Sequence, residues 1–215
     1  MKHWIFTVMI TVLTISGFAQ QRDPKAKAIL DQVSAKFKTY KSVTANFGYQ
    51  IMNNAGKVMA NKKGVIKMKG DSYVINLGGN KIISDGTTIW NYDPAAQEVT
   101  VNSVETKEST ITPQKLFTDF YNKDFMYILG KDEKVGGKMT SKIILQPIDK
   151  SKPFSRVYLA VDKASMNIIS TMIVEKTGNR YVYSVSDFKP NTTIADGEFN
   201  FDKSKFPGVE VVDLR

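Results

Sequence analysis

Val43-Thr44-Ala45-Asn46-Phe47-Gly48-Tyr49-Gln50-Ile51 decides the fold. Val43, Ala45, Phe47, Tyr49 and Ile51 alternate with Thr44, Asn46, Gly48 and Gln50. A period of two places the apolar side chains on one face of a half-buried strand. Asn53-Asn54-Ala55-Gly56 is a hairpin turn signal, and Val58–Lys69 reads as the return strand, with Gly64 suited to a bulge.

The same rhythm continues on both sides. Gly70-Asp71 turns the chain into a strand that carries Tyr73, Ile75 and Leu77 on one face. Gly78-Gly79-Asn80 and Asp85-Gly86 set off Lys81–Ser84 and Thr87–Tyr92, and Glu98–Val104 follows Asp93-Pro94. Strand patterns resume at Phe125–Lys131, Ser141–Pro147, Ser155–Asp162, Asn167–Glu175 and Arg180–Phe188, and the tail offers edge strands at Phe199–Phe201 and Val209–Val212. Upstream, Asp23 caps a helix with Pro24 in its first turn, and Ile29, Leu30, Val33, Phe37 and Tyr40 form one apolar stripe. Thr112-Pro113 opens a short second helix bearing Leu116, Phe117 and Phe120. About eleven short strands joined by hairpins argue for one antiparallel meander that curls. Two helices are all that is available to cover it. Two solutions stand: a fully packed barrel or sandwich, or a nearly closed sheet with helices over an apolar cavity.

The 215 residues have 42 % apolar and 24 % charged content, the balance of a folded protein. Met1-Lys2-His3, the apolar run Trp4–Ile15 and the small residues of Ser16-Gly17-Phe18-Ala19 make a secretory signal over 1–19. The expectation is cleavage after Ala19, with an N-terminal membrane anchor as the alternative, and one exported, soluble domain over 20–215. The chain lacks cysteine, and His3 is its single histidine. Disulfides, thiolate zinc sites and cysteine nucleophiles are therefore excluded, and loss of His3 with the signal removes any Ser-His-Asp triad. Glycine-rich phosphate loops are missing, and Asp132-Glu133 and Glu105/Glu108 read as solvated faces. We expect no catalytic residue, metal or cofactor, and no enzyme. The net charge of 30 − 21 = +9 comes mostly from scattered lysines. Without arginine-rich stripes it does not suit nucleic acid. It suits either a solvated basic surface or attraction to anionic membranes and acidic partners.

Gly64-Val65-Ile66-Lys67-Met68-Lys69, followed by Ile82-Ile83-Ser84-Asp85-Gly86-Thr87-Thr88-Ile89-Trp90-Asn91-Tyr92-Asp93-Pro94, resembles the periplasmic outer-membrane lipoprotein carrier family (LolA-like). Val43–Phe47 with Gln50 and Gly56 is similar to that family's first strand and turn, and Phe199-Asn200-Phe201 and Pro207–Asp213 to its closing segment. The resemblance implies a mainly β fold with some α: a strongly curved, incompletely closed antiparallel barrel of about eleven strands, with a helical lid over an apolar cavity. It also implies a carrier that takes lipoproteins from an inner-membrane ABC-type releasing complex. The carrier shields their acyl chains and delivers them to an outer-membrane acceptor or to the outer membrane itself. A monomer is expected. In the family Arg-Pro usually follows the first of these strands, and the arginine bonds to the lid. Here Gly70-Asp71 stand at those positions.

On this reading the cavity lining is Phe47, Tyr49, Ile51, Ile66, Met68, Tyr73, Ile75, Leu77 and Trp90. The lid is Ile29, Val33 and Phe37 on the first helix with Leu116, Phe117 and Phe120 on the second. For each residue the alternative is plain core packing. A periplasmic carrier or sensor of the same fold, acting on another lipid or hydrophobic ligand, is the second functional reading.

Overall fold

The computed structural model describes residues 22–104 and 121–215. The signal segment 1–19, Glu105, Glu108 and the second-helix residues Leu116, Phe117 and Phe120 lie outside the described residues. The chain is mainly β. After helix α1 (Pro24–Lys38) come β1 (Val43–Met52), β2 (Val58–Lys69), β3 (Ser72–Leu77), β4 (Asn80–Ser84), β5 (Thr88–Asp93) and β6 (Glu98–Ser103). Then follow α2 (Tyr121–Asp124), β7 (Phe125–Leu129), β8 (Glu133–Val135), β9 (Lys138–Pro147), β10 (Phe154–Asp162), β11 (Ile168–Glu175), β12 (Arg180–Pro190) and, after two 3-10 turns, β13 (Glu210–Asp213).

All thirteen strands form one strongly curved, unclosed sheet in the order β13-β6-β5-β4-β3-β2-β1-β12-β11-β10-β9-β7, with β8 on β9. The eleven strands read from the hairpin rhythm are present. Beyond them stand β8, only three residues long, and β13, the edge strand expected at Val209–Val212, which pairs with β6 in parallel rather than antiparallel. Phe199–Phe201 is not a strand: Phe199 ends a 3-10 turn and is buried. β1 sits mid-sheet because it pairs on one side with its hairpin partner and on the other with β12, at the far end of the sequence.

Gly64 is not a bulge. It pairs in register with Phe47 and Leu77, and a Cβ there would stand 2.3 Å from the Asn76 carbonyl oxygen and 2.7 Å from the Phe47 ring. The ring of Phe47 lies over this glycine, which is the close approach that only a missing side chain permits. The register of β1 slips instead between Thr44 and Asn46 and between Ile51 and Met52.

Helix α1 forms as its caps require. The Asp23 carboxylate accepts from Lys25 N at 2.8 Å and from Leu129 N at 3.0 Å, and Asp23 N donates to Tyr127 O at 3.0 Å. One residue thus caps the helix and ties it to edge strand β7. These backbone donors hold the Asp23 carboxyl below the usual carboxylate range, Leu129 first and Lys25 next. The buried Ala26, Leu30 and Val33 pack on Phe125, Tyr127, Ile143, Leu145, Val157 and Leu159, with Tyr121 of α2 closing the cluster. Full burial of each large aliphatic side chain contributes about 1.5–3 kcal/mol, so this cluster is the main anchor of the β7–β10 half. The β3–β6 half is covered differently. The tail after β12 lays Ile194, Phe199, Phe201, Phe206 and Val209 against Val74, Ile83, Trp90, Val99 and Val101.

Candidate functional site

Strand register shows which side chains share a face. Leu159 pairs with Ile143 and Thr171, Thr171 with Tyr183, and Tyr183 with Tyr49. Directly opposed residues point the same way, so Tyr49 stands on the face that carries α1. Phe47 and Ile51 follow by alternation. Across β1, Ala45 pairs with Ile66 and Val43 with Met68; Ile66 pairs with Ile75, Met68 with Tyr73, and Ile75 with Ile82. A continuous apolar strip thus runs from β4 to β11 across the helix-bearing face.

Eight of the nine residues read from sequence as lining stand in this strip: Phe47, Tyr49, Ile51, Ile66, Met68, Tyr73, Ile75 and Leu77. Trp90 does not. It pairs with Ile83 and Val101, on the opposite face, and packs under the tail with Phe199, Phe201 and Val209. A period-two pattern predicts faces within a strand, but parity is lost through a turn, and the Asp85-Gly86-Thr87 turn moved Trp90 to the other side. Ile82 of β4, Ile173 of β11, and Tyr181, Tyr183 and Val185 of β12 belong to the strip and were missed. Tyr181, Tyr183 and Val185 alternate legibly; what hides them is that β12 joins β1 only through long-range pairing.

The strip is not a sealed core. Val43, Ala45, Met68 and Tyr73, beside the helix end, are buried; Phe47, Tyr49, Ile51, Ile66, Ile75, Leu77, Tyr181 and Tyr183 are half-buried. Tyr49 lies between Tyr181 and Tyr183, with ring centroids 6.3 and 5.1 Å away. Loss of water raises the phenol pKa of Tyr49, with a further push from Glu175. Desolvation raises Tyr183 as well, followed by the neighbouring phenols of Tyr49 and Tyr181. These tyrosines stay neutral through the physiological range, so the strip presents uncharged aromatic surface.

The helix reaches this strip only with its last turn. Ile29 and Val33 pack in the β7–β10 cluster, as core residues do, whereas Phe37 and Tyr40 pack against Val43, Ala45, Met68 and Tyr73. Between that helix end and the β2–β3 turn lies an open pocket of about 240 Å³ whose wall includes Phe37, Tyr40, Met68, Gly70 and Asp71. The carboxylates Asp132 and Glu133 are ion-paired, with Lys163 and Lys142 respectively.

The fold is thus an open, strongly curved sheet, antiparallel except at β13, with one helix over one end of its inner face and an apolar strip beside that helix. The outer membrane lipoprotein carrier protein LolA family model matches residues 30–202, and the chain belongs to that family. It is 27 % identical over 188 residues to an outer-membrane lipoprotein carrier protein of Haemophilus influenzae (strain PittEE), covering 87 % of this chain and 83 % of the relative. It is 23 % identical over 216 residues to the protein of the same name from Pseudomonas aeruginosa (strain UCBPP-PA14), covering 97 % and 98 %. Among solved structures it is similar in fold to an uncharacterized conserved protein from Thermus thermophilus. The TM-score is 0.59 at 13 % identity, over 88 % of this chain and 99 % of that one. Among the described residues no helix is long and apolar enough to cross a membrane.

Proposed function

We propose that this protein is a periplasmic carrier, exported by the 1–19 signal, that holds the acyl chains of lipoproteins against the apolar strip and moves them from the inner to the outer membrane. The observation that carries the reading is the strip itself: apolar side chains on one face of six neighbouring strands, mostly half-buried, beside a helix that covers only one end. Membership of the carrier family supports it.

The physical task is burial, not bond-making. Each CH₂ taken out of water contributes about 0.8 kcal/mol, so one long acyl chain supplies ample affinity without any charged group. Release then needs a strip that holds the chain less tightly than a closed core. Half-buried tyrosines with polar hydroxyls provide that, because their rings cover a chain while their edges stay wet. The helical elements serve as a lid, with Phe37 the α1 residue placed to move over the strip. An ABC-type releasing complex would load the carrier, and an outer-membrane acceptor or the membrane would unload it. The carrier itself acts as a monomer without catalysis.

A second reading rests on Gly70-Asp71, which stand where the family usually has Arg-Pro and which line the pocket at the end of α1. A changed latch would suit a carrier or sensor for another lipid. Mass spectrometry of material co-purifying with the native protein separates the two. Acylated lipopeptides in the protein, with lipoproteins accumulating in the inner membrane on depletion, support the first. A free lipid in the protein, with unchanged lipoprotein sorting, refutes it.

A further inference from the structure

The ends of the strands form two rims of different character. Because neighbours run antiparallel, the turns 53–57, 78–79, 94–97, 148–153 and 176–179 all fall at one rim. Lys57, Lys62 and Lys63 of the β1–β2 hairpin lie there, with Lys150 and Lys152 in the 148–153 turn and Arg180 opposite Met52. None of the six is in an ion pair among the described residues. At the other end of the same strands the lysines are paired: Lys67 with Glu198, Lys69 with Asp196 and Lys189 with Asp187. At its two outer ends the first rim also carries Asp124, just before β7, and Glu98 beside Glu210, where β6 meets β13; the acids of the turns between them are engaged locally. Asp93 accepts from Ala95 N, Asp149 from Ser151 N, and Glu175 from Thr177 Oγ1 and Asn179 Nδ2.

The same rim exposes apolar side chains. Val58 is 46 % and Met59 61 % accessible at the start of β2, and Ile148 is exposed in the neighbouring turn. The apolar strip runs out to this rim, since Tyr49 pairs with Lys62 and Ile51 with Ala60 at the hairpin end of β1. Unpaired cations around exposed methyl and thioether groups match an anionic lipid surface, where basic groups meet the headgroups and apolar ones enter the interface.

We infer that this rim is a docking surface for an anionic bilayer, which sets the open end of the strip against the membrane. The inference does not rest on the identity of the cargo, because vesicle binding is read on the cargo-free protein, whereas cargo capture is tested at Phe47.

The test is co-sedimentation of the full mature chain with vesicles of phosphatidylcholine containing about one-third phosphatidylglycerol, with pure phosphatidylcholine as reference. Each rim cation near an anionic surface is worth about fivefold in binding. The triple change Lys57→Gln, Lys62→Gln, Lys63→Gln is expected to weaken binding by at least about tenfold. The matched change Lys131→Gln, Lys134→Gln, Lys203→Gln removes the same charge elsewhere and is expected to cost less than about threefold. Val58→Ser with Met59→Ser should remove the part of binding that survives high salt. Thermal melts accompany each variant, and a rim variant that fails to melt like the parent is replaced by Lys57→Gln alone. Equal weakening by the two triple changes, wild-type binding by the rim variant, or no preference of the parent for anionic vesicles overturns the inference.

Discussion

Phe47→Glu tests the strip at its centre. Six adjacent strands, β4, β3, β2, β1, β12 and β11, carry it, and β2 and β1 are the middle pair. At about 4.8 Å per strand, five spacings give a strip about 24 Å across. A chain lying across it must pass Phe47, whose ring covers Gly64 on one side and whose register partner is Val185 on the other. A carboxylate there keeps its hydration shell and strips cover from about three methylenes, a loss of about 2.4 kcal/mol or about fiftyfold in Kd. Displacement of a fluorescent fatty acid measures this on the folded protein. Gln50→Glu is the control: it adds the same charge three residues away on the opposite face, where Gln50 pairs with Asn61 and Val182. Phe47→Leu keeps the apolar contact and should bind within about threefold of the parent. If Phe47→Glu binds within about threefold of Gln50→Glu, with both proteins folded, the strip is not where the chain lies.

Further outcomes follow from packing and titration. Gly64→Ala should destabilise by about 1–3 kcal/mol in urea melts, because the new methyl meets the Asn76 backbone carbonyl, which cannot move without opening the β2–β3 pairing. Gly48→Ala should cost clearly less, since only the exposed Ser184 hydroxyl, 2.6 Å away, must rotate. Asp23→Ala should cost about 1–2 kcal/mol through loss of the helix cap and of the Leu129 bond. Asp23 and Asp162 both have carboxyls held below 3.8: Asp23 by backbone donors, and Asp162 first by the Ser165 hydroxyl, then by Ala164 N and Lys138. Their folded pKa values lie under the unfolded one, so their contribution is complete above about pH 4 and is lost as pH falls through the folded value. Asp23→Asn and Asp162→Asn should therefore lower stability at about pH 6 and flatten its decline below about pH 4, read by melts across that range.

How far the sequence led can be judged at particular residues. Helix α1 was legible in its start and its stripe because Asp23, Pro24 and the 3.6-residue period are local signals. The period-two face of Val43–Ile51 was legible for the same reason, and every lining residue on β1 to β3 fell on one face. Trp90 was not, because its face depends on how many residues the Asp85-Gly86-Thr87 turn consumes. Gly64 read as a bulge because a glycine in a strand has two explanations, and only the position of the Phe47 ring selects close approach. The parallel pairing of β13 with β6 and the junction of β12 with β1 were beyond local reading: both join segments about a hundred residues or more apart, and no periodicity encodes the partner.

The two halves of the sheet are covered on opposite faces, and this explains why an apolar strip persists. Helix α1 needs the helix-bearing face of β7, β9 and β10 for Leu30 and Val33, while the tail needs the other face of β3 to β6 for Phe199 and Val209. Among the described residues, neither cover extends over the helix-bearing face of β1 to β3 and β12, where Phe37 and Tyr40 arrive. A sheet that buried this face fully would have one core and no room for a chain. A sheet that made it polar would lose the driving force that binds one. On the proposed function the arrangement leaves stability to the two outer clusters and the central strands to the acyl chain, so strip substitutions such as Phe47→Glu should alter binding more than melting, while Leu30→Ala should lower the stability read by melts by about 2–5 kcal/mol and leave the strip's chemistry in place.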